Sequence, residues 1–109
     1  MNDSNSNLLA FFLNANGGLI TRETISIGTL TESLIHPREV FEPGVRLGAA
    51  SVILAHNHPS GIVEPSDEDK AVTIQIREAG KVLGIELADH IILARNQFLS
   101  FKRRGLLSS

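Results

Sequence analysis

Two apolar segments open the readable part of the chain. Residues 8–13 are continuously apolar, and residues 19–27 are rich in β-branched side chains, which suit a pleated, half-buried surface. Between them, residues 14–18 supply Asn and Gly for a tight reversal, so the two segments read as a hairpin. Residues 29–34 are expected to be irregular. Pro37 has the fixed φ of a first helical turn, and a helix is expected from there to about residue 50. Pro43 and Gly44 fall inside it. Proline removes a backbone donor and clashes one turn back, which predicts a kink or short break between Phe41 and Val45.

Residues 51–55 form a short apolar run of the kind buried on both faces, as in a central strand covered by helices. Residues 56–65, with two prolines and a glycine, read as a loop, and Ser66-Asp67-Glu68-Asp69 then opens a helix. Val72, Ile76, Ala79 and Leu83 recur at helical spacing as one apolar stripe, and Gly84 supplies the stop. Residues 86–94 read as a strand, and residues 98–101 as its partner across a turn at 95–97. The order β-β-α-β-α-β-β, without internal repeats, predicts an α/β fold in which a mixed sheet packs against helices. Residues 1–7 are polar and read as a tail or the cut end of a longer protein. The remaining residues 8–109 form one domain, because 109 residues at 42% hydrophobic content do not divide into two viable cores.

Composition narrows the chemistry. There is no cysteine, which excludes disulfides, thiolate metal sites and a cysteine nucleophile, so any metal is held by nitrogen and oxygen. A net charge of -2 and a pI near 6.0 give no general pull toward a phosphate backbone, and nucleic acid is an unfavoured partner. No apolar run approaches the ~20 residues of a membrane span, and no leader pattern opens the chain, so a cytoplasmic protein is expected.

The informative residues are His56 and His58. If strand geometry persists to its end, side chains two apart project to one face and both imidazoles can reach one ion. Asp69, separated from His58 by ten residues, can supply a third ligand if the loop folds back. Two histidines and a carboxylate leave the fourth tetrahedral position for water, whose pKa zinc lowers toward ~7. Plainer readings stand beside these. An H-x-H pair can be two ordinary polar residues at a strand end. Ser66-x-x-Asp69 is a capping-box signature, with the acidic residue well placed at the positive end of the helix dipole. Both roles are compatible, since a capped first turn would hold the Asp69 carboxylate rigidly. Ser60, in Pro59-Ser60-Gly61, reads as turn chemistry at least as well as catalysis.

The string His56-Asn57-His58-Pro59-Ser60-Gly61, followed by Pro65-Ser66 and Asp67-Glu68-Asp69, resembles the JAMM motif of MPN-domain metalloproteases, H-x-H-x(7)-S-x(2)-D, with every spacing in agreement. Asn57, the Pro-Ser-Gly that follows, His36-Pro37-Arg38-Glu39 and Asp89-His90 resemble the RadC branch of that superfamily. The resemblance covers roughly residues 8–107. It implies a cytidine-deaminase-like α/β fold, zinc held by His56, His58 and Asp69, a serine at Ser66 that stabilises an oxyanion, and an upstream glutamate as general base.

The chain departs from that pattern at the base, because residues 1–7 contain no glutamate. Glu39 is the preferred substitute and Glu23 the next candidate, although Glu39 also suits a first helical turn without catalysis. His36 and Arg38 are candidates for a substrate groove, and His90 for orienting a ligand from behind; solvated surface residues and local hydrogen bonding are the plainer alternatives. Lys102-Arg103-Arg104, beside Phe98 and Phe101, fits a solvated terminus better than a nucleic-acid site. The leading expectation is a zinc metallopeptidase or isopeptidase acting on a peptide or protein. The alternative is a non-catalytic, DNA-repair-associated or protein-interaction module that keeps the metal site. Edge strands could pair with an extended peptide or with a second copy.

Overall fold

The computed structural model describes residues 7–27 and 35–107. The irregular segment expected at 29–34 lies outside the described residues. The elements follow the expected order: β1 (Asn7–Leu13), β2 (Leu19–Ile27), α1 (Pro37–Leu47), β3 (Ser51–Asn57), α2 (Asp67–Leu83), β4 (Glu86–Ala94) and β5 (Gln97–Ser100). The strands form one mixed sheet in the order β2-β1-β3-β4-β5, with β3 and β4 parallel and the other pairs antiparallel. The parallel pair needs a long crossover, which α2 provides.

The hairpin forms where Asn and Gly predicted it. Asn14 Oδ1 accepts the N–H groups of Asn16 and Gly18, both at 2.9 Å, and Gly17 takes a φ of +87°, which glycine enters without a Cβ penalty. Leu8, Ala10 and Phe12 of β1 and Val52 and Leu54 of β3 then face Val40 and Phe41 of α1 and Val72 and Ile76 of α2 in one core. Each large apolar side chain removed from water there stabilises the fold by ~1.5–3 kcal/mol.

Three local expectations are corrected. Because α1 and α2 both pack on one face of the sheet, β3 mostly alternates: Ser51, Ile53 and Asn57 on the other face are half-buried, so the strand is not enclosed on both sides. No break occurs at Pro43. The residue is buried within a continuous 11-residue helix, and Gly44 lies so close to β1 that an added Cβ would stand 2.7 Å from Phe12 Cε1. That contact offsets the lost backbone hydrogen bond. On α2 the stripe turns away at its end: Leu83 is exposed, and Gly80 is buried in its place, its Cα so near the residue leading into β4 that a Cβ would meet Ile85 O at 2.3 Å. No helix among the described residues is long and apolar enough to cross a membrane.

Candidate metal centre

Sheet register brings His56 to the end of the central strand. It pairs with Leu8 on β1 and Ile92 on β4, and it is buried. Asn57 then points to the opposite face, where its side-chain oxygen accepts the Asn7 N–H and ties the start of β1 to the end of β3. The loop expected from residue 56 begins later, at His58, because strand pairing continues through Asn57.

His58 opens that loop with its N–H bonded to Leu93 O at 2.8 Å. Gly61, at φ +84°, turns the chain back, and Ser60 Oγ accepts the Ile62 N–H at 3.3 Å, so Ser60 has the turn role weighed for it. The turn presents Ile62 O to His58 Nδ1 at 2.6 Å. A carbonyl only accepts, so His58 must carry its proton on Nδ1, and in the neutral ring Nε2 keeps a lone pair.

The helix delivers the third group. Ser66 Oγ accepts the Asp69 N–H at 3.0 Å and Asp69 Oδ2 accepts the Ser66 N–H at 2.9 Å, a complete capping box. The same buried carboxylate lies 3.0 Å from His58 Nε2 through Oδ2 and 3.7 Å from His56 Nδ1 through Oδ1. Ligand atoms of His56, His58 and Asp69 all fall within 4.8 Å of one another, and these three groups can hold a metal ion. Zinc bonds of ~2.0–2.1 Å in a tetrahedral arrangement need ligand atoms ~3.3 Å apart, which the pairwise distances bracket.

Two observations fit a cation. A lone pair on His58 Nε2 faces a carboxylate oxygen at hydrogen-bond distance, an arrangement that a proton on either group or a positive ion between them relieves. Both ring nitrogens of His56 are buried without a partner, whereas buried polar atoms are ordinarily satisfied. Burial pushes His56 down to about 4 against a pull upward from Asp69, with His58 pushing further down. The neutral ring is the form that ligates metal.

Behind the centre lies a feature only half visible in the sequence. His90, fully buried on β4, stacks on Phe101 with ring centroids 4.6 Å apart, and its Nδ1 is 2.6 Å from Thr73 Oγ1. Burial first, and His56 second, push it down to about 3. Thr73 was not among the residues picked from the sequence, although its position four beyond Asp69 places it one turn along the same helix face.

The remaining candidates lie elsewhere. Glu39 is exposed on the first turn of α1, whose Pro37, Arg38 and Phe41 line a groove with Leu83 at the far end of α2 from Asp69, and it does not join the triad. Glu23 pairs with Ala10, itself opposite Leu54, so it stands two strands across and two positions back from His56, ~12 Å by strand spacing. His36 is the N-cap residue of α1, but its side chain makes no capping hydrogen bond. In the basic cluster, Arg104 pairs with Glu64 at 3.2 Å and the Arg103 guanidinium lies 6.0 Å over Phe98. Next to His58 a cleft of about 660 Å³ runs between residues 57–61 and Leu93, Ala94 and Arg95.

The RadC-like JAB domain family matches residues 1–106. The chain is 56% identical over 95 residues to a UPF0758 protein of Rubrobacter xylanophilus, 52% over 99 to one of Desulforamulus reducens, and 49% over 105 to one of Chlorobaculum tepidum. These matches cover 87, 91 and 96% of this chain but 41, 44 and 47% of the relatives, so the chain spans less than half their length. A helix cap that also faces two histidines, on a mixed sheet whose sequence matches almost from end to end, leaves one assignment: the chain belongs to the RadC-like JAB domain family.

Proposed function

We propose that this domain is a zinc-dependent hydrolase of amide bonds, a peptidase or isopeptidase, with His56, His58 and Asp69 as the zinc ligands. The observation that carries the reading is the His58 Nε2 lone pair set 3.0 Å from a buried carboxylate oxygen, with His56 unpartnered beside them. When bound, zinc supplies positive charge that polarises a substrate carbonyl and acidifies water. The chain supplies the rest. Ser66 Oγ accepts the Asp69 N–H, which leaves its own proton to donate to the oxygen of a tetrahedral intermediate. The cleft beside His58 holds the peptide on either side of the bond to be cut. Proton transfer to the leaving amine needs a carboxylate; Glu39 is proposed for it from the His36-Pro37-Arg38-Glu39 stretch alone, since its place on α1 adds no support.

Zinc content of the purified wild type against His58→Ala is the direct test: about one zinc per chain falling to none is expected, and equal zinc in both removes the ligand assignment. Peptide hydrolysis that persists in Glu39→Gln would take that residue out of the mechanism. Among the described residues no glutamate joins His56, His58 and Asp69, which favours a second reading, a zinc that only fastens β3 to α2. In that case zinc raises the melting temperature and no peptide or isopeptide is cut.

A further inference from the structure

The two imidazoles of the centre are braced differently from behind. His58 gives its Nδ1 proton to Ile62 O at 2.6 Å. His56 is buried with no partner on either ring nitrogen. A neutral imidazole always keeps one N–H, and a metal takes only the other nitrogen, so a buried His56 holding an ion retains a donor in need of an acceptor.

An acceptor of the right kind stands on β4. The Thr73 hydroxyl lies 2.6 Å from Asp69 O and 2.6 Å from His90 Nδ1. It has one proton, and the carbonyl can only accept, so the hydroxyl donates to Asp69 O and accepts from His90 Nδ1–H. This fixes the tautomer of His90: its lone pair is on Nε2, a buried atom with no partner. The His90 ring lies 6.2 Å from that of His56, tilted by 37°. Phe101 stacked on its face prevents it from turning, and Asp89 holds the Phe101 turn through Ser100 Oγ at 2.6 Å and Lys102 N at 3.0 Å. An in-line N–H···N bond between two imidazoles sets centroids ~5 Å apart. A ring shift of ~1 Å closes the difference.

We propose that His90 is a positioning residue for the metal ligand His56: its Nε2 accepts the N–H that His56 keeps when the other nitrogen holds the ion. The bonds then run in one direction, from His56 N–H to His90, from His90 Nδ1–H to Thr73, and from Thr73 O–H to the Asp69 carbonyl. Two of the three ligands are thereby linked from behind, and the tautomer of His56 is set before metal arrives. The inference rests on the metal reading above.

The test is the Zn2+ affinity of wild type, His90→Asn and His90→Gln, measured by competition with a chelating dye, alongside the melting temperatures of the metal-free proteins. Asparagine places an amide N–H where Nδ1 was but nothing at Nε2; glutamine places an oxygen near Nε2. His90→Asn is expected to weaken zinc binding by ~10–100-fold, the usual effect of losing a ligand's outer partner, with His90→Gln much closer to wild type. A role in core packing alone would lower both affinities together with stability, and that result, or no loss in His90→Asn, overturns the proposal. Should neither variant fold, imidazole 15N–1H spectra of the zinc-loaded wild type decide: a proton on His90 Nδ1 and a slowly exchanging His56 N–H are expected, and a proton on His90 Nε2 refutes it. Wild type that binds no Zn2+ overturns the metal reading and this inference together, whereas zinc-binding wild type with an unaffected His90→Asn overturns this inference alone.

Discussion

The two candidate histidine ligands sit in contrasting surroundings. His56 belongs to the sheet: strands flank it on both sides and His90 and Thr73 lie behind it. His58, two residues on, belongs to a loop, and its brace comes from Ile62 O; residues 58–61 of the same turn form a wall of the cleft. One ligand is therefore oriented by tertiary structure and the other by local backbone geometry. The rigid side fixes where an ion can sit, and the loop side governs what approaches it.

The strongest way to break that pairing is to delete a ligand. Asp69→Ala removes the group both rings face and the capping carboxylate with it. Zinc retention is expected to fall by more than the ~10–100-fold of an outer partner, as read by titration with Zn2+. Acid comes next and acts on the rigid side. His56 and His90 are held at about 4 and about 3, below the ordinary ~6.5, so the unfolded chain binds more protons than the folded one in this window. Their contribution to stability is complete above ~pH 6.5 and is lost as pH falls toward 4 and below. Urea midpoints of the metal-free protein should drop steadily from pH 7 to pH 4.5, and a flat profile would contradict the burial of both rings.

Smaller changes separate the two sides. Gly80→Ala drives a methyl group against a backbone oxygen and should cost ~1–3 kcal/mol in chemical unfolding while leaving zinc affinity intact. Gly61→Ala meets open space but a φ of +84°, which costs ~1–2 kcal/mol for a residue with a Cβ. The turn relaxes and moves Ile62 O from His58, so zinc affinity should change there when it does not in Gly80→Ala. Ser66→Ala, which removes a helix cap, is the mildest at ~1 kcal/mol.

Much of this was legible in the chain because the governing rules are local. The hairpin follows from Asn14 to Gly18, the capping box from Ser66 and Asp69, and the H-x-H pair brings both rings to Asp69, although His58 lies just past the end of β3. Local rules failed where packing decides. Pro43 reads as a helix breaker until Phe12 is seen to lie against Gly44, and Leu83 continues the stripe in sequence although the helix has already turned it to solvent. The partnership of Thr73 and His90 spans 17 residues and two elements, and the packing of α2 against β4 creates it. Spacing did not single out the general base, because glutamates in the chain are common and their approach to the triad depends on tertiary placement; among the described residues none joins the triad.

The central claim is that a cation resolves the opposition of His58 Nε2 and the Asp69 carboxylate. Calorimetric titration of the metal-free protein with Zn2+ above pH 7 tests it most directly. The account predicts saturation at one ion per chain, abolished in Asp69→Ala; a titration with no binding heat and no zinc-dependent rise in melting temperature would contradict it.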